Sequence, residues 1–69
     1  RRLWNKMDKK IFYNYIDKIV IIRTKNGWKW EGLLLRVEEN EILLDDIMKG
    51  KIWISNEQVM TIHNRENGR

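Results

Sequence analysis

Cysteine and proline are absent from this 69-residue chain, and histidine occurs once, at His63. No disulfide can form, and a structural zinc site lacks its Cys and His ligands. Without those staples, a domain of this length buries only about 60% of the surface that its unfolded chain exposes. Association with further copies is the expected remedy. Long hydrophobic runs are missing too: none reaches the roughly 18–20 residues that cross a bilayer, and no apolar stretch of signal-peptide type follows the basic N-terminus. The expectation is a soluble, cytoplasmic protein with no membrane association. Met7 reads equally as a start behind an added leader or as an internal methionine.

The arrangements that catalysis needs are also absent. There is no Ser-His-Asp spacing, no glycine loop that would cradle a phosphate and no cluster of metal ligands. Asp45 and Asp46 are adjacent, but neighbouring residues of a strand point to opposite faces and do not make a two-carboxylate site. A non-enzyme with no cofactor, no metal and no catalytic residue is expected.

What is present is charge, unevenly spread. Residues 1–29 carry nine Lys or Arg against two Asp, whereas residues 30–69 carry five against eight acids. A basic N-terminal half suits a polyanionic partner and equally suits a solvated extension. Lys, Glu and Ile dominate, a composition that fits a hyperthermophile or an AT-rich genome.

The hydrophobic pattern divides the chain into one helix and five strands. Asp8 can cap a helix over Lys9 to Asp17, where Ile11, Phe12, Tyr15 and Ile16 recur at the spacing that places them on one face. Lys18 to Lys25 is rich in β-branched residues, Asn26-Gly27 has the left-handed preference of a tight hairpin turn, and Trp28 to Val37 is the returning strand. Gly32 inside it predicts a bulge or a sharp bend. After an acidic turn at 38–41, further strands follow at Ile42 to Ile47, Lys51 to Ile54 and Gln58 to His63, with turns at Met48-Lys49-Gly50 and Ser55-Asn56-Glu57. Five bent strands in about 50 residues suit a small barrel, because closure removes sheet edges. SH3-like, OB-like and Sm-like barrels all remain open on this pattern. The domain is read as 8–63, between a flexible basic extension at 1–7 and a polar tail at 64–69.

Single-stranded nucleic acid is held by rings that stack bases, amides that read base edges and cations that meet phosphates. Four tryptophans supply stacking capacity. Trp28 and Trp30 lie two apart on a strand and share a face, with Lys29 turned the other way. Lys6, Lys9 and Lys10 near the helix start, and Arg23 on the first strand, are candidate phosphate contacts.

Two segments resemble the conserved blocks of the Sm and Lsm superfamily, the ring-forming RNA-binding proteins that include Hfq. The run from Asn26 through Trp28-Lys29-Trp30-Glu31-Gly32, followed by Val37-Glu38-Glu39-Asn40-Glu41-Ile42-Leu43-Leu44-Asp45-Asp46, is similar to the first block. Phe12-Tyr13-Asn14-Tyr15-Ile16 resembles the helix signature of Hfq. The second block, Ile52 to Ile62, is more similar to Sm proteins, although Ser55-Asn56 stands where Arg-Gly is usual. This mixture resembles an archaeal Hfq-like Sm protein.

The resemblance implies a short N-terminal α-helix on a five-stranded, strongly bent Sm-like barrel. It implies a homo-oligomeric ring, six subunits favoured over seven, closed by pairing of the fourth strand with a neighbour's fifth. Single-stranded RNA, U-rich or A-rich, is the implied partner, in post-transcriptional regulation or RNA chaperoning. Around the pore it implies binding by Glu39, Asn40, Ser55 and Asn56, with Trp53 at the subunit boundary and Lys9 and Lys10 nearby. On the opposite face it implies Arg23, Trp28, Lys29 and Trp30. The arginine patch of Hfq is replaced by Asp17 and Lys18, so RNA annealing at the rim does not carry over. The alternatives are a small SH3-like protein-interaction module, which needs an exposed aromatic groove, and a DNA-binding chromatin protein, which the acidic later strands disfavour.

Overall fold

The computed structural model describes residues 9–65. The expected extension at 1–7, the cap at Asp8, the contact at Lys6 and the expected tail from residue 66 onward lie outside the described residues. In chain order the elements are α1 (Lys9–Tyr13), β1 (Ile19–Thr24), β2 (Lys29–Val37), β3 (Glu41–Asp46), β4 (Gly50–Ser55), a 3₁₀ turn (Asn56–Gln58) and β5 (Val59–Asn64). One antiparallel sheet contains all five strands in the order β4-β3-β2-β1-β5. The mostly-β architecture with a single short helix is as expected. No helix among the described residues is long and apolar enough to cross a membrane.

Alternation along the strands builds the core. Val20 and Ile22 of β1, Leu34 of β2, Ile42 and Leu44 of β3, Ile54 of β4 and Val59 of β5 are buried on one face. Phe12 of α1 closes over them and is itself fully buried. Each such side chain contributes about 1.5–3 kcal/mol of burial free energy.

The helix ends four residues earlier than its apolar spacing predicts, and the backbone bonding explains this. Asn14 N–H donates to Ile11 O and Tyr15 N–H to Phe12 O, so the winding tightens to three residues per turn. Phe12 and Tyr15 stay aligned on the core side, whereas Ile11 rotates away and is 41% exposed. Asp17 then takes a left-handed φ of 69° and the chain reverses, a conformation that Asp tolerates better than most residues. Two bonds to β2 hold the reversal, Asp17 N–H to Leu34 O at 2.9 Å and Leu34 N–H to Lys18 O at 3.1 Å.

The hairpin between β1 and β2 forms where Asn26-Gly27 predicts it, with a different turn. Only Gly27 is left-handed, at φ 93°, and Asn26 is not. Gly27 N–H donates to Thr24 O and Thr24 N–H to Trp28 O. This is the longer loop in which an ordinary turn is followed by a left-handed glycine. Gly32 brings no register shift, since it pairs in step with Val20 on one side and Asp46 on the other. The irregularity falls instead between Leu34 and Arg36. Gly32 is required by crowding: a Cβ there would collide with the Asp45 carbonyl oxygen and stand 2.8 Å from Asp46 Cα.

The two outer strands, β4 and β5, are joined through only the three-residue 3₁₀ turn. Each pairs with one neighbour, β3 and β1 respectively, so each keeps a free edge of backbone donors and acceptors among the described residues. β5 runs through Asn64, and Arg65 N–H donates to Ile19 O. The polar tail expected from residue 64 is therefore still bonded to β1 at 64–65.

Candidate functional site

Thr24 sets the geometry at the hairpin end. It is 4% exposed. Its hydroxyl accepts from Trp28 N–H at 3.2 Å and donates to Asn26 Oδ1 at 2.5 Å. This fixes the backbone from which the Trp28 side chain leaves. Trp28 and Trp30 then stack with ring centroids 5.8 Å apart and planes 14° from parallel. Trp30 packs against the core from its rim, and Trp28, lying over it, is 55% exposed. Their shared face was legible from their spacing, but the stacked contact was not.

Lys29 and Arg23 occupy the other face of the hairpin. They are direct cross-strand partners and both are exposed. Neither makes an ion pair among the described residues. Like charges placed opposite each other across a sheet repel. The four residues expected together at this end, Arg23, Trp28, Lys29 and Trp30, all belong to one hairpin, and Lys29 also borders a cleft lined by the two tryptophans.

The residues expected around a pore fall into two groups. Lys9 of α1 forms an ion pair with Glu39 in the turn between β2 and β3. Asn56 joins the same turn, its N–H donating to Asn40 O at 2.9 Å and its Nδ2 to Glu39 O at 3.3 Å. Lys9, Glu39, Asn40 and Asn56 are therefore brought together. Asn56, however, is 1% exposed, which corrects its expected role as a donor to RNA: its side chain ties two turns together from the inside. Its Oδ1 has no hydrogen-bond partner among the described residues. Asn40 and Lys10 are exposed.

Trp53 and Ser55 belong to the second group. Both are exposed on β4, and they line a cleft of about 210 Å³ whose opposite wall is Trp28 and Trp30. Trp53, expected at the subunit boundary near the pore, lines this cleft together with the hairpin tryptophans. In the sheet order β3 lies between β4 and the hairpin, and Trp53 and the hairpin tryptophans nonetheless line one cleft. The Ser55 hydroxyl accepts from Glu57 N–H at 3.3 Å and caps the 3₁₀ turn, leaving its own hydrogen available to donate.

Asp46 is the residue that sequence reasoning passed over. It is buried, and its carboxylate accepts from Glu31 N–H at 2.9 Å, Met48 N–H at 2.9 Å and Lys49 N–H at 3.0 Å. Burial by itself pushes the carboxyl pKa up, but those three donors and the nearby Lys49 charge outweigh it and hold it below the ordinary value. A turn signal after an aspartate hinted at such a cap. The partner from β2, fifteen residues away, left no mark in the sequence. Among the described residues no cluster of His, Cys, Asp and Glu is placed to hold a metal.

No protein-family model and no curated protein matches the chain, so a functional reading stands on this geometry and on the sequence pattern.

Proposed function

We propose that this chain is a non-catalytic, Sm-like protein that assembles into a ring of its own copies and binds single-stranded RNA. The exposed Trp28 stacked on the half-buried Trp30, with Arg23 and Lys29 on the same hairpin making no ion pair among the described residues, carries this reading. A base stacked on an aromatic side chain gains about 1–3 kcal/mol, and cations on the same hairpin meet phosphates. Repetition around a ring turns a weak contact on one subunit into avid binding.

The ring is the natural completion of the sheet. The free edges of β4 and β5 are six residues each, and pairing β4 with a neighbour's β5 satisfies both and closes a bent barrel at the subunit boundary. Met60, 54% exposed on β5, would be covered there in part. Six subunits are favoured over seven. On the pore side Asn40 would read base edges, with Lys9, Lys10 and Glu39 around it. A cytoplasmic role in post-transcriptional regulation or RNA chaperoning follows from such binding.

A second reading draws on the same tryptophans, because an SH3-type module needs an exposed aromatic groove for proline-rich peptides. Native mass, measured alone and with U-rich, A-rich and proline-rich ligands, separates the two. A mass of six or seven subunits that binds an oligonucleotide is expected, with Trp28→Ala weakening A-rich RNA about tenfold at unchanged mass. A monomer that ignores both oligonucleotides and takes the peptide would replace this reading with the interaction module.

A further inference from the structure

Two clefts flank the tryptophan stack, and their chemistry differs. Trp28 and Trp30 border both. The first, about 210 Å³, is completed by Trp53, Asn26, Ser55 and Gln58, and no charged side chain lines it. The second, about 240 Å³, lies against the turn between β3 and β4 and is bordered by Met48 and by two cations, Lys29 and Lys49. Met48 is 84% exposed there. Glu31 and Asp46 also border this cleft. Both carboxylates are engaged, Glu31 by Arg65 at 2.9 Å and Asp46 by its three backbone donors. Lys29 and Lys49 make no ion pair among the described residues.

We propose that these two clefts hold successive nucleotides of one single strand, with the Trp28–Trp30 stack as the ridge between them. The inference rests on the RNA-binding reading above and specifies the track that the strand takes across one protomer. Each cleft is smaller than the roughly 300 Å³ at which pockets for whole small-molecule ligands begin, so each suits one part of a longer ligand. The first cleft offers flat faces and neutral hydrogen-bonding groups, the combination that accepts a base and its edge. A quaternary ammonium would also favour indoles. The two rings here lie nearly parallel and do not form separate walls of a cage. Among the described residues no carboxylate lines this cleft to balance a cation. The second cleft supplies ammonium groups for a phosphate and the polarisable Met48 thioether for the next base. A proline-rich peptide would leave those two lysines without a counter-charge.

The test uses the full chain and labelled adenylate ligands of one, two and four nucleotides, read by fluorescence anisotropy. The dinucleotide is expected to bind at least tenfold more tightly than the mononucleotide. Trp53→Ala is expected to weaken the dinucleotide about tenfold and Met48→Ala about threefold. Lys49→Gln is expected to lower the slope of log affinity against log salt by about 0.7, a slope that Met48→Ala leaves unchanged. Because Trp53 is on an edge strand, Gln58→Ala provides a second probe of the same cleft should Trp53→Ala change the native mass; it too is expected to weaken the dinucleotide. If all these variants behave as wild type while longer RNA still binds, the strand runs elsewhere and only this inference falls. Equal affinity for mononucleotide and dinucleotide overturns it as well. Failure of the wild-type chain to bind any RNA removes both this inference and the reading beneath it.

Discussion

Gly32→Ala is expected to leave the chain largely unfolded at room temperature. β1 and β3 pair with β2 on either side of this position, and the inward face of Gly32 meets the β3 backbone directly. An added methyl would collide with the Asp45 carbonyl oxygen and sit 2.7 Å from the Asp45 carbonyl carbon and 2.8 Å from Asp46 Cα. These are main-chain atoms, so no side-chain rotation relieves the overlap. Either β3 moves off, breaking its register with both β2 and β4, or β2 bends away from the core. A loss of about 4 kcal/mol or more is expected, the range reserved for severe packing faults. A chain of this length has roughly 3–10 kcal/mol of total stability. Urea unfolding followed by circular dichroism measures the effect. A variant with a midpoint close to wild type would show that the strands have room that the structure denies them.

Asp46→Ala is expected to cost about 3 kcal/mol, because it strips acceptors from three backbone N–H groups at once. The Met48 and Lys49 donors can turn to water, whereas the Glu31 donor lies between β2 and the turn that follows β3. The same contacts make a pH signature. The folded pKa of Asp46 lies below its ordinary, unfolded value. Its contribution is therefore complete above the unfolded pKa and is lost as pH falls through the folded one. Asp46→Asn should remove this part of the acid sensitivity while keeping the side-chain shape. An unchanged dependence of stability on pH between about 5 and 2 in that variant would mean that the carboxylate is not the group responsible.

Strand positions were readable from the chain because two independent signals agree there. Alternating apolar residues such as Val20 and Ile22, or Ile42 and Leu44, mark the faces, and glycine-containing turns mark the ends. The same period of two placed Trp28 and Trp30 on one face. Features that depend on distant chain were hidden. Asn56 looks like an exposed turn residue until the turn at Glu39 and Asn40, seventeen residues away, closes over it. Trp53 has a pore-side place only by analogy, and the cleft that it lines with Trp28 and Trp30 depends on chain far from it in sequence. Helix α1 failed locally: Ile11 to Ile16 has the right spacing, but the chain tightens to reach the left-handed Asp17, and no periodicity encodes that reversal.

The facing cations Arg23 and Lys29 make ionic strength act on the protein in two opposite senses. In the free chain their mutual repulsion opposes closure of the hairpin, and added electrolyte, with a screening length near 10 Å at about 0.1 M, relieves it. A bound polyanion relieves it more completely by inserting its own charge, and that association weakens as electrolyte rises. Dilute buffer therefore favours occupancy over a stiff empty hairpin, and concentrated buffer does the reverse. On the proposed reading, the hairpin would exchange one form of screening for another, and a strand that displaced the counterions would also rigidify the element that held it.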